Sequence, residues 1–290
     1  LGVMGYPMAG HLARSGHQVT VYNRSPGKAE QWMGEYAGSS APSPREAVAG
    51  AELVMCCVGN DDDLRSVILG EQGAFAGMAP GAILVDHTTA SADVARELHR
   101  AGKALGIAFV DAPVSGGIAA ANGGTLTFMV GGSAECFARA EPILADMGKA
   151  VIHAGEAGAG QAAKICNNML LGISMIGAAE AFALGEKLGL EHQALFDVLS
   201  TSSGQCWSVN TYCPVPGPVP KSPANNGYKP GFATALMLKD LLLSQEAALS
   251  RGAQTPLGAE AAQLYGLFEA QGHGGTDFSG IINFLRGGPK

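Results

Sequence analysis

A lysine and an asparagine, four residues apart near the start of a predicted helix, are the side chains best suited to chemistry. Residues 155–168 read Gly-Glu-Ala-Gly-Ala-Gly-Gln-Ala-Ala-Lys-Ile-Cys-Asn-Asn, so three glycines precede a run of good helix formers. On a helix, Lys164 and Asn168 project from one face. Residues 169–184 are apolar around the whole helix, which predicts a buried position. Burial lowers the pKa of a lysine and lets it exchange protons, but a lysine at a helix end with its head in water fits this stretch equally well.

A glycine turn at the beginning of the chain predicts a dinucleotide-binding site. Gly2-Val3-Met4-Gly5 carries the last two glycines of a G-x-G-x-x-G turn, and we expect the first glycine and the strand before it upstream of the first residue. In such a turn one glycine lets the backbone reach a pyrophosphate, and the next packs the helix on the strand. The helix predicted at 7–15 would direct its N–H groups at that phosphate.

Two polar residues follow the predicted strand 18–22, where a bound dinucleotide would place its adenosine ribose. An acidic side chain there accepts hydrogen bonds from the ribose hydroxyls, whereas this chain has Asn23 and Arg24. A guanidinium suits a 2′-phosphate, so Arg24 favours NADP, with NAD also accepted. An ordinary surface charge is the alternative explanation of Arg24.

A serine and two glycines follow the predicted strand 108–111, at the edge of the sheet where ligands of open α/β sheets bind. Ser115 offers a hydroxyl, and Gly116-Gly117 offer unobstructed backbone N–H donors. Together they would form a small anion cradle suited to a carboxylate. Taken by themselves, the same residues fit a structural Pro-Gly turn equally well.

The order of the predicted elements indicates an α/β Rossmann-type domain followed by an all-α domain, joined by a long interdomain helix. The first half alternates strands and helices, which is typical of a parallel sheet covered on both faces. After residue 155 only helical patterns remain. We therefore predict an NAD(P)-binding domain at 1–156, with its first strand absent, and a substrate-binding and dimerisation domain at 157–290. The Pro-rich residues 212–220 predict a long ordered loop. The predicted strands are 18–22, 53–58, 82–86, 108–111 and 125–130, and the predicted helices are 7–15, 43–49, 61–69, 92–105, 134–147, 161–188, 193–201, 232–250, 257–271 and 277–285.

Composition excludes several classes of function. A net charge of −7 argues against binding nucleic acid, and 47% hydrophobic residues exclude a disordered chain. Ser174 and Glu180 interrupt the most apolar stretch, which is short for a bilayer, so no membrane span is predicted. The seven histidines lack ligand spacing, which indicates no metal site. Six cysteines without a Cys-x-x-Cys motif indicate reduced thiols, and we expect a cytoplasmic protein.

Several motifs together resemble the β-hydroxyacid dehydrogenase family, which includes 6-phosphogluconate dehydrogenase, and most specifically its 3-hydroxyisobutyrate dehydrogenase branch. The family's cofactor, substrate and catalytic motifs are similar to residues 2–9, 109–117 and 164–168. Three further stretches resemble that branch in particular: residues 202–208, residues 212–217 with 222–226, and residues 277–285. The resemblance covers essentially the whole chain.

The resemblance implies a role for each matching residue. Lys164 would be the general acid and base at the substrate hydroxyl, and the reaction would be the NAD(P)-dependent oxidation of 3-hydroxyisobutyrate to methylmalonate semialdehyde in valine and branched-chain amino acid catabolism. The substrate would be held by Ser115, Gly116, Gly117, Asn168 and Phe232. The dinucleotide would contact Gly2, Val3, Met4, Gly5, Asn23, Arg24, Val58, Gly59, Thr89, Lys239 and Asp240.

Other functions remain open from the sequence. The same chemistry could act on L-serine, on glycerate with tartronate semialdehyde as product, or on 4-hydroxybutyrate, since pocket shape decides among them. A non-catalytic nucleotide-binding module is a different class, and the joint presence of Lys164, Asn168 and Ser115 argues against it. A homo-oligomer, a dimer or a tetramer, is expected because the few predicted helices of the second domain leave its long apolar helix incompletely covered.

Overall fold

The computed structural model describes residues 1–287 and divides the chain into two units, Leu1–Lys164 and Ile165–Lys290. Among the described residues, all named strands lie in the first unit. The strands are β1 (Thr20–Val21), β2 (Ser39–Ser40), β3 (Leu53–Cys56), β4 (Ile83–Asp86), β5 (Ala108–Asp111), β6 (Val114–Ser115), β7 (Leu126–Gly131) and β8 (Gly148–Gly155). The α-helices are α1 (Gly5–Arg14), α2 (Pro26–Glu35), α3 (Pro44–Ala47), α4 (Asp61–Leu69), α5 (Ala92–Ala104), α6 (Gly117–Gly123), α7 (Ala134–Ala145), α8 (Ala159–Lys187), α9 (His192–Thr201), α10 (Trp207–Asn210), α11 (Thr234–Arg251), α12 (Pro256–Phe268) and α13 (Ile281–Leu285).

Six strands of the first unit form a mixed sheet in the order β3-β4-β5-β7-β6, with β8 also paired to β7. Strands β3, β4 and β5 are parallel and in register, so Cys56, Asp86 and Asp111 lie side by side at their carboxyl ends. A separate parallel pair, β1 with β2, completes the strands of this unit.

The prediction of a parallel sheet is wrong at β7, which runs antiparallel to both β5 and β6. After β6 the chain turns at Gly116 and Gly117, whose φ angles of +127° and +67° suit glycine. The single short helix α6 then returns the chain beside β6. A parallel neighbour would instead require a longer crossover.

Helices cover both faces of the mixed sheet, as the alternation of strands and helices predicts. Leu84 of β4 packs in the same cluster as the buried residues of α4 and α5, while its neighbours Ile83 and Val85 pack with α1 and α7. Successive side chains of a strand point to opposite faces, so β4 contributes to a separate core on each side.

The second unit is helical and surrounds its own core. Buried residues of α8, α11, α12 and α13 pack together with Cys213 and Val215 of the Pro-rich loop, which is ordered as predicted. The prediction that α8 is buried on all sides is wrong, because Leu170 and Leu184 are 65% and 59% exposed. By length and composition alone α8 could cross a membrane, and 44% of its most apolar 18-residue stretch is buried inside the protein.

Candidate active site

The first turn of α1 offers an open, donor-rich position for a phosphate. The helix begins at Gly5 with no side-chain hydrogen bond at its N-cap Met4 and no acidic residue in its first turn. A side chain at Gly2 would meet nothing within 4 Å, and Gly2 and Val3 are exposed. Unobstructed backbone N–H groups at a helix start attract anions, so this turn fits the pyrophosphate of a dinucleotide.

The two residues predicted near the adenosine ribose follow β1 and lie at the surface. The Asn23 Oδ1 accepts a hydrogen bond of 2.9 Å from the terminal amine of Leu1. The Arg24 guanidinium is 88% exposed, and it lies 3.5 Å from a carboxylate oxygen of Asp63 in α4. Arg24 is therefore accessible to a ligand phosphate, although a carboxylate shares its charge.

The loops that follow β3 and β4 at the carboxyl edge of the sheet are connected by a hydrogen bond to Thr88. The Val58 N–H donates to the Thr88 hydroxyl at 3.0 Å, and the Thr88 N–H donates to Asp86 at 3.0 Å. Gly59 follows Val58, and Thr89 follows Thr88 and is half-buried. The loop that carries Val58 and Gly59 is therefore hydrogen-bonded to the residue before Thr89.

Asp86 and His87 are buried at the carboxyl end of β4. Burial, as the largest cause, raises the pKa of Asp86 to about 7 and lowers the pKa of His87 to about 4. The His87 Nδ1 lies 2.8 Å from the carbonyl of Ala112, so this nitrogen carries the proton and donates. Both side chains are mostly neutral between about pH 4 and pH 7, so they contribute little charge at the bottom of the site in that range.

The N-terminus of α8 is attached to the sheet by the carboxylate of Asp111. Its two oxygens accept hydrogen bonds from the N–H groups of Gly158 at 2.7 Å and Gln161 at 2.8 Å. Burial raises the pKa of Asp111, and the backbone N–H groups around it act against that rise. A Cβ at Gly160 would lie 2.3 Å from the Met129 carbonyl oxygen, so the close approach of this turn requires glycine.

The Gln161 side chain joins α8 to the loop that carries Thr89. Its amide nitrogen donates to the Thr88 carbonyl at 2.6 Å, and its amide oxygen accepts from the Ala90 N–H at 3.1 Å. Gln161 is fully buried and lies three residues before Lys164 on the same helix. A single amide therefore spans Thr89 by bonding to the residues on either side of it.

Lys164 and Asn168 lie one turn apart on α8, and both are buried, at 7% and 1% exposure. The structure thus disfavours the alternative in which Lys164 extends its head into water. The Asn168 amide donates to Asp240 of α11 at 2.5 Å, and the ammonium of Lys239 lies 3.8 Å from the other oxygen of Asp240. Asn168, which was assigned to the substrate, therefore forms one polar group in the second unit with Lys239 and Asp240, which were assigned to the cofactor.

The residues predicted to form a carboxylate cradle lie at a tight turn after β6. Ser115 ends β6 and pairs with Thr127 across the antiparallel ladder. Both glycines that follow it have left-handed φ values, and a Cβ at Gly116 would lie 2.5 Å from that of Ala120. The turn therefore depends on glycine, and it leaves Ser115 half-buried and Gly116 exposed.

Phe232 lies in an aromatic group of the second unit. Its ring packs edge-on against Phe278, with the ring centroids 5.6 Å apart. Its N–H donates to the buried carboxylate of Asp277 at 3.0 Å, and the Tyr212 hydroxyl donates to the same oxygen at 2.9 Å. Burial, together with this carboxylate, raises the pKa of Tyr212.

Comparison with known proteins gives the family of this fold and site. Residues 1–155 match the model of the NAD-binding domain of 6-phosphogluconate dehydrogenase, and residues 158–285 match that of the NAD-binding domain of NADP-dependent 3-hydroxyisobutyrate dehydrogenase. A 3-hydroxyisobutyrate dehydrogenase of Pseudomonas aeruginosa is 47% identical over 290 residues, covering 99% of this chain and 97% of that protein. The chain belongs to the 3-hydroxyisobutyrate dehydrogenase family.

Two further relatives narrow the chemistry of this family. A solved structure of the Mycobacterium tuberculosis 3-hydroxyisobutyrate dehydrogenase with L-serine has a TM-score of 0.92 and 45% identity, covering 99% of this chain and 97% of that one. An NAD-dependent L-serine dehydrogenase of P. aeruginosa is 43% identical, covering 96% of this chain and 93% of that protein. The chain is therefore an NAD(P)-dependent oxidoreductase that acts on the CH–OH group of a small hydroxy acid.

Sequence reasoning did not single out Thr88, Asp111 or Gln161, which connect the loops at the carboxyl edge of the sheet to the start of α8. Asp111 ends a predicted strand and lies within the motif 109–117, and Gln161 belongs to a run of helix formers. The hydrogen bonds that Gly158 and Gln161 make to Asp111, and that Gln161 makes to Thr88, join residues 47 to 73 positions apart, so no local spacing reveals these contacts. A polar residue at the carboxyl end of a buried strand is the one signal that could have indicated Asp111.

Proposed function

We propose that this enzyme oxidises 3-hydroxyisobutyrate to methylmalonate semialdehyde, as a cytoplasmic enzyme of valine catabolism. The burial of Lys164 one helical turn before the buried Asn168 carries this proposal. Relatives that bear the name 3-hydroxyisobutyrate dehydrogenase and cover nearly the whole chain support it. The six cysteines form no disulfide within the described residues, which is consistent with a reducing compartment.

We assign the cofactor-binding and substrate-binding roles according to the predicted domains. Residues 1–156 hold the dinucleotide through the turn at Gly2–Gly5, the loop at Val58 and Gly59, Thr89, and the ribose-side residues Asn23 and Arg24. Residues 157–290 supply Lys239 and Asp240 to the same ligand. The substrate carboxylate is held by Ser115, Gly116 and Gly117, and Asn168 and Phe232 contribute further substrate contacts. The open turn at Gly2 supports the first assignment, and the left-handed glycines after Ser115 support the carboxylate cradle.

Lys164 acts as the proton carrier of the reaction. The oxidised nicotinamide, held by the cofactor-binding residues, would supply the acceptor for the hydride of the substrate's carbinol carbon. The Lys164 Nζ takes the hydroxyl proton as the C–H bond breaks and the C=O bond forms, and it returns the proton in the reverse reaction. Ser115 and its glycines hold the carboxylate in both directions, so their contribution is mainly to binding and orientation.

L-serine is a second candidate substrate, because one relative is a named L-serine dehydrogenase and one solved structure contains L-serine. The test is an assay of 3-hydroxyisobutyrate, L-serine, glycerate and 4-hydroxybutyrate with each of NAD and NADP. We expect the highest kcat/KM for 3-hydroxyisobutyrate. A higher value for L-serine would replace the proposed substrate while keeping the reaction.

Removing the ammonium group tests the role of Lys164 separately from the choice of substrate. In Lys164→Ala we expect kcat to fall by about 10²–10⁴-fold, the usual contribution of a general acid or base. Dinucleotide affinity, measured by fluorescence of the reduced nicotinamide, should change far less. Lys187→Ala, at the other end of α8, is the matched control and should leave kcat unchanged. A Lys164→Ala enzyme with near wild-type kcat would contradict the assignment.

We also propose a homo-oligomer, a dimer or a tetramer. The second unit exposes large apolar side chains on several helices, including Leu170, Leu184, Leu249 and Leu257. Apolar surface of this extent on one part of a molecule favours association. A second copy of the same chain is the proposed partner.

A further inference from the structure

Two positions must be fixed relative to each other for the proposed reaction: the lysine that takes the proton and the loop beside the nicotinamide. Lys164 lies on the first turns of α8, and Thr89 lies in the loop between β4 and α5. Mutual orientation of this kind supplies a large part of enzymatic rate enhancement, and a displacement of about 1 Å can cost roughly 10²-fold in rate. The residue that joins the two elements therefore bears directly on kcat.

We propose that Gln161 is a positioning residue that fixes Lys164 relative to Thr89, an inference that rests on the proposed function. The side chain of Gln161 is fully buried, and both ends of its amide bond to the loop, at the Thr88 carbonyl and the Ala90 N–H. Both partners are backbone groups on either side of Thr89, so the amide fixes the position of the main chain at Thr89. The donor and the acceptor that the loop presents also leave only one orientation of the amide.

The start of α8, where Gln161 lies, is itself held to the sheet by Asp111. The Gln161 N–H donates to Asp111 at 2.8 Å, and the same carboxylate accepts from Gly158. Lys164 follows after three residues, close to one helical turn. The loop is equally well anchored, because Thr88 accepts from Val58 and both the N–H and the hydroxyl of Ser91 donate to Asp61, at 3.0 and 2.5 Å. Gln161 thus joins two rigid elements, and its loss frees one to shift against the other.

Gln161→Leu removes both hydrogen bonds at nearly constant volume. We expect kcat to fall by roughly 10–10²-fold, since the proton carrier is displaced from the reacting atoms. We expect the Kd for the reduced dinucleotide, measured by fluorescence, to change by less than about tenfold, the most that one ordinary hydrogen bond contributes. A wild-type kcat in a folded Gln161→Leu enzyme would overturn the proposal.

Gln161→Glu gives a test in which one variant is compared with itself at different pH values. A protonated glutamic acid can donate to the Thr88 carbonyl and accept from the Ala90 N–H, as glutamine does, whereas the carboxylate can only accept. The ratio of variant to wild-type kcat should therefore rise as pH falls. A ratio that is independent of pH would contradict the proposal, and this test remains available if Gln161→Leu does not fold.

A control variant separates positioning from stability. The Ser133 hydroxyl accepts from the Cys136 N–H at the start of α7, so Ser133→Ala removes a capping hydrogen bond in the same unit. It should lower the Tm and leave kcat unchanged, whereas Gln161→Leu should lower kcat at temperatures well below its Tm. The two proposals also fail differently. An active Lys164→Ala enzyme would contradict the assignment of Lys164 as the proton carrier. An inactive Lys164→Ala enzyme together with a fully active Gln161→Leu enzyme would contradict only the positioning role of Gln161.

Discussion

The charge of Arg24 would be shared between a bound ligand phosphate and the carboxylate of Asp63. Asp63 lies 3.5 Å from the guanidinium, which is otherwise exposed to solvent. A 2′-phosphate bound there would gain the charge-assisted hydrogen bonds of Arg24 and would also meet the negative charge of Asp63. The structure therefore supports a weaker preference for NADP than the sequence suggests.

Two substitutions test this balance through the ratio of kcat/KM for NADP to that for NAD. Arg24→Ala should lower the ratio by about 10-fold, near the lower end of the range for a charge-assisted hydrogen bond. Asp63→Asn should raise it, because the competing charge is gone. Asp62→Asn removes an equal charge from the same turn of α4, where the carboxylate lies near Arg65 instead, and should change the ratio least. A ratio unaffected by Arg24→Ala would place Arg24 outside the binding site.

Asp86 makes stability depend on pH in the direction opposite to most carboxylates. Its pKa is about 7 in the folded protein against 3.8 for the free side chain, so between about pH 4 and 7 the folded state holds a proton that the unfolded state has lost. The stabilisation from this group is therefore fully present below about pH 4, is lost as pH rises from about 4 to 7, and does not change further above that. The slope reaches at most about 1.4 kcal/mol per pH unit.

Urea unfolding at several pH values checks this prediction. Asp86→Asn keeps an acceptor for the Thr88 N–H and should gain stability over the wild type as pH rises from 4 to 7, with a constant difference above that. Glu97→Gln is a control of opposite sign. Its hydrogen bonds to Arg65 lower the pKa of Glu97, so the wild type should lose its advantage over this variant as pH falls. If the difference in stability between the wild type and Asp86→Asn does not change with pH over this range, Asp86 is ionised in the folded state.

Spacing within one element was easier to predict than contacts between elements. Helical spacing places Lys164 and Asn168 on one face of α8, and both are buried, which the sequence had left open for Lys164. The links from Asn168 to Asp240 and from Gln161 to Thr88 join positions more than 70 residues apart. Only the folded chain brings those groups together, so the sequence alone could not show them.

At the scale of elements, two glycines of α8 have opposite requirements. A Cβ at Gly160 would lie 2.3 Å from the Met129 carbonyl oxygen and 2.6 Å from that of Asp111, both backbone atoms that cannot move independently. A Cβ at Gly177, in the interior of the same helix, would meet nothing within 4 Å. Glycine is therefore required at position 160, at the start of α8, and only tolerated at position 177.

Alanine at each position should separate these effects. Gly160→Ala must displace the start of α8 from the sheet, and we expect a loss of stability of at least about 1–3 kcal/mol, as for an overpacked site, together with reduced turnover. Gly177→Ala should be neutral or stabilise the protein by up to about 1 kcal/mol, because alanine is the better helix former. Thermal unfolding and kcat of the two variants give the comparison. Equal stability of the two would contradict the close approach at Gly160.

Elements with strong local patterns were predicted with nearly correct ends, whereas edge and short elements were missed. Helix α4 has the predicted bounds, since Asn60 caps it and acidic residues fill its first turn. Strand β8 was missed because it pairs only with β7 among the described strands and is half exposed, so it lacks a run of buried apolar residues. Helix α2 was missed because most of its residues are polar or glycine, and α6 because it is short and has glycine at both ends.

At the scale of the whole molecule, the distribution of exposed apolar side chains predicts self-association through the second unit. Leu170, Leu249 and Leu257 are 65%, 87% and 67% exposed and lie on three different helices of that unit. Leu105 of the first unit is a comparable exposed leucine, at 50%.

Light scattering at micromolar concentrations should give at least twice the 29.4 kDa mass of the chain. Glutamate at Leu170, Leu249 or Leu257 should lower that mass where the side chain lies in the interface, because an unpaired charge is costly to bury. Leu105→Glu should leave the mass unchanged. A wild-type protein that scatters as a monomer throughout this range would eliminate the proposed assembly and leave these leucines as ordinary surface residues.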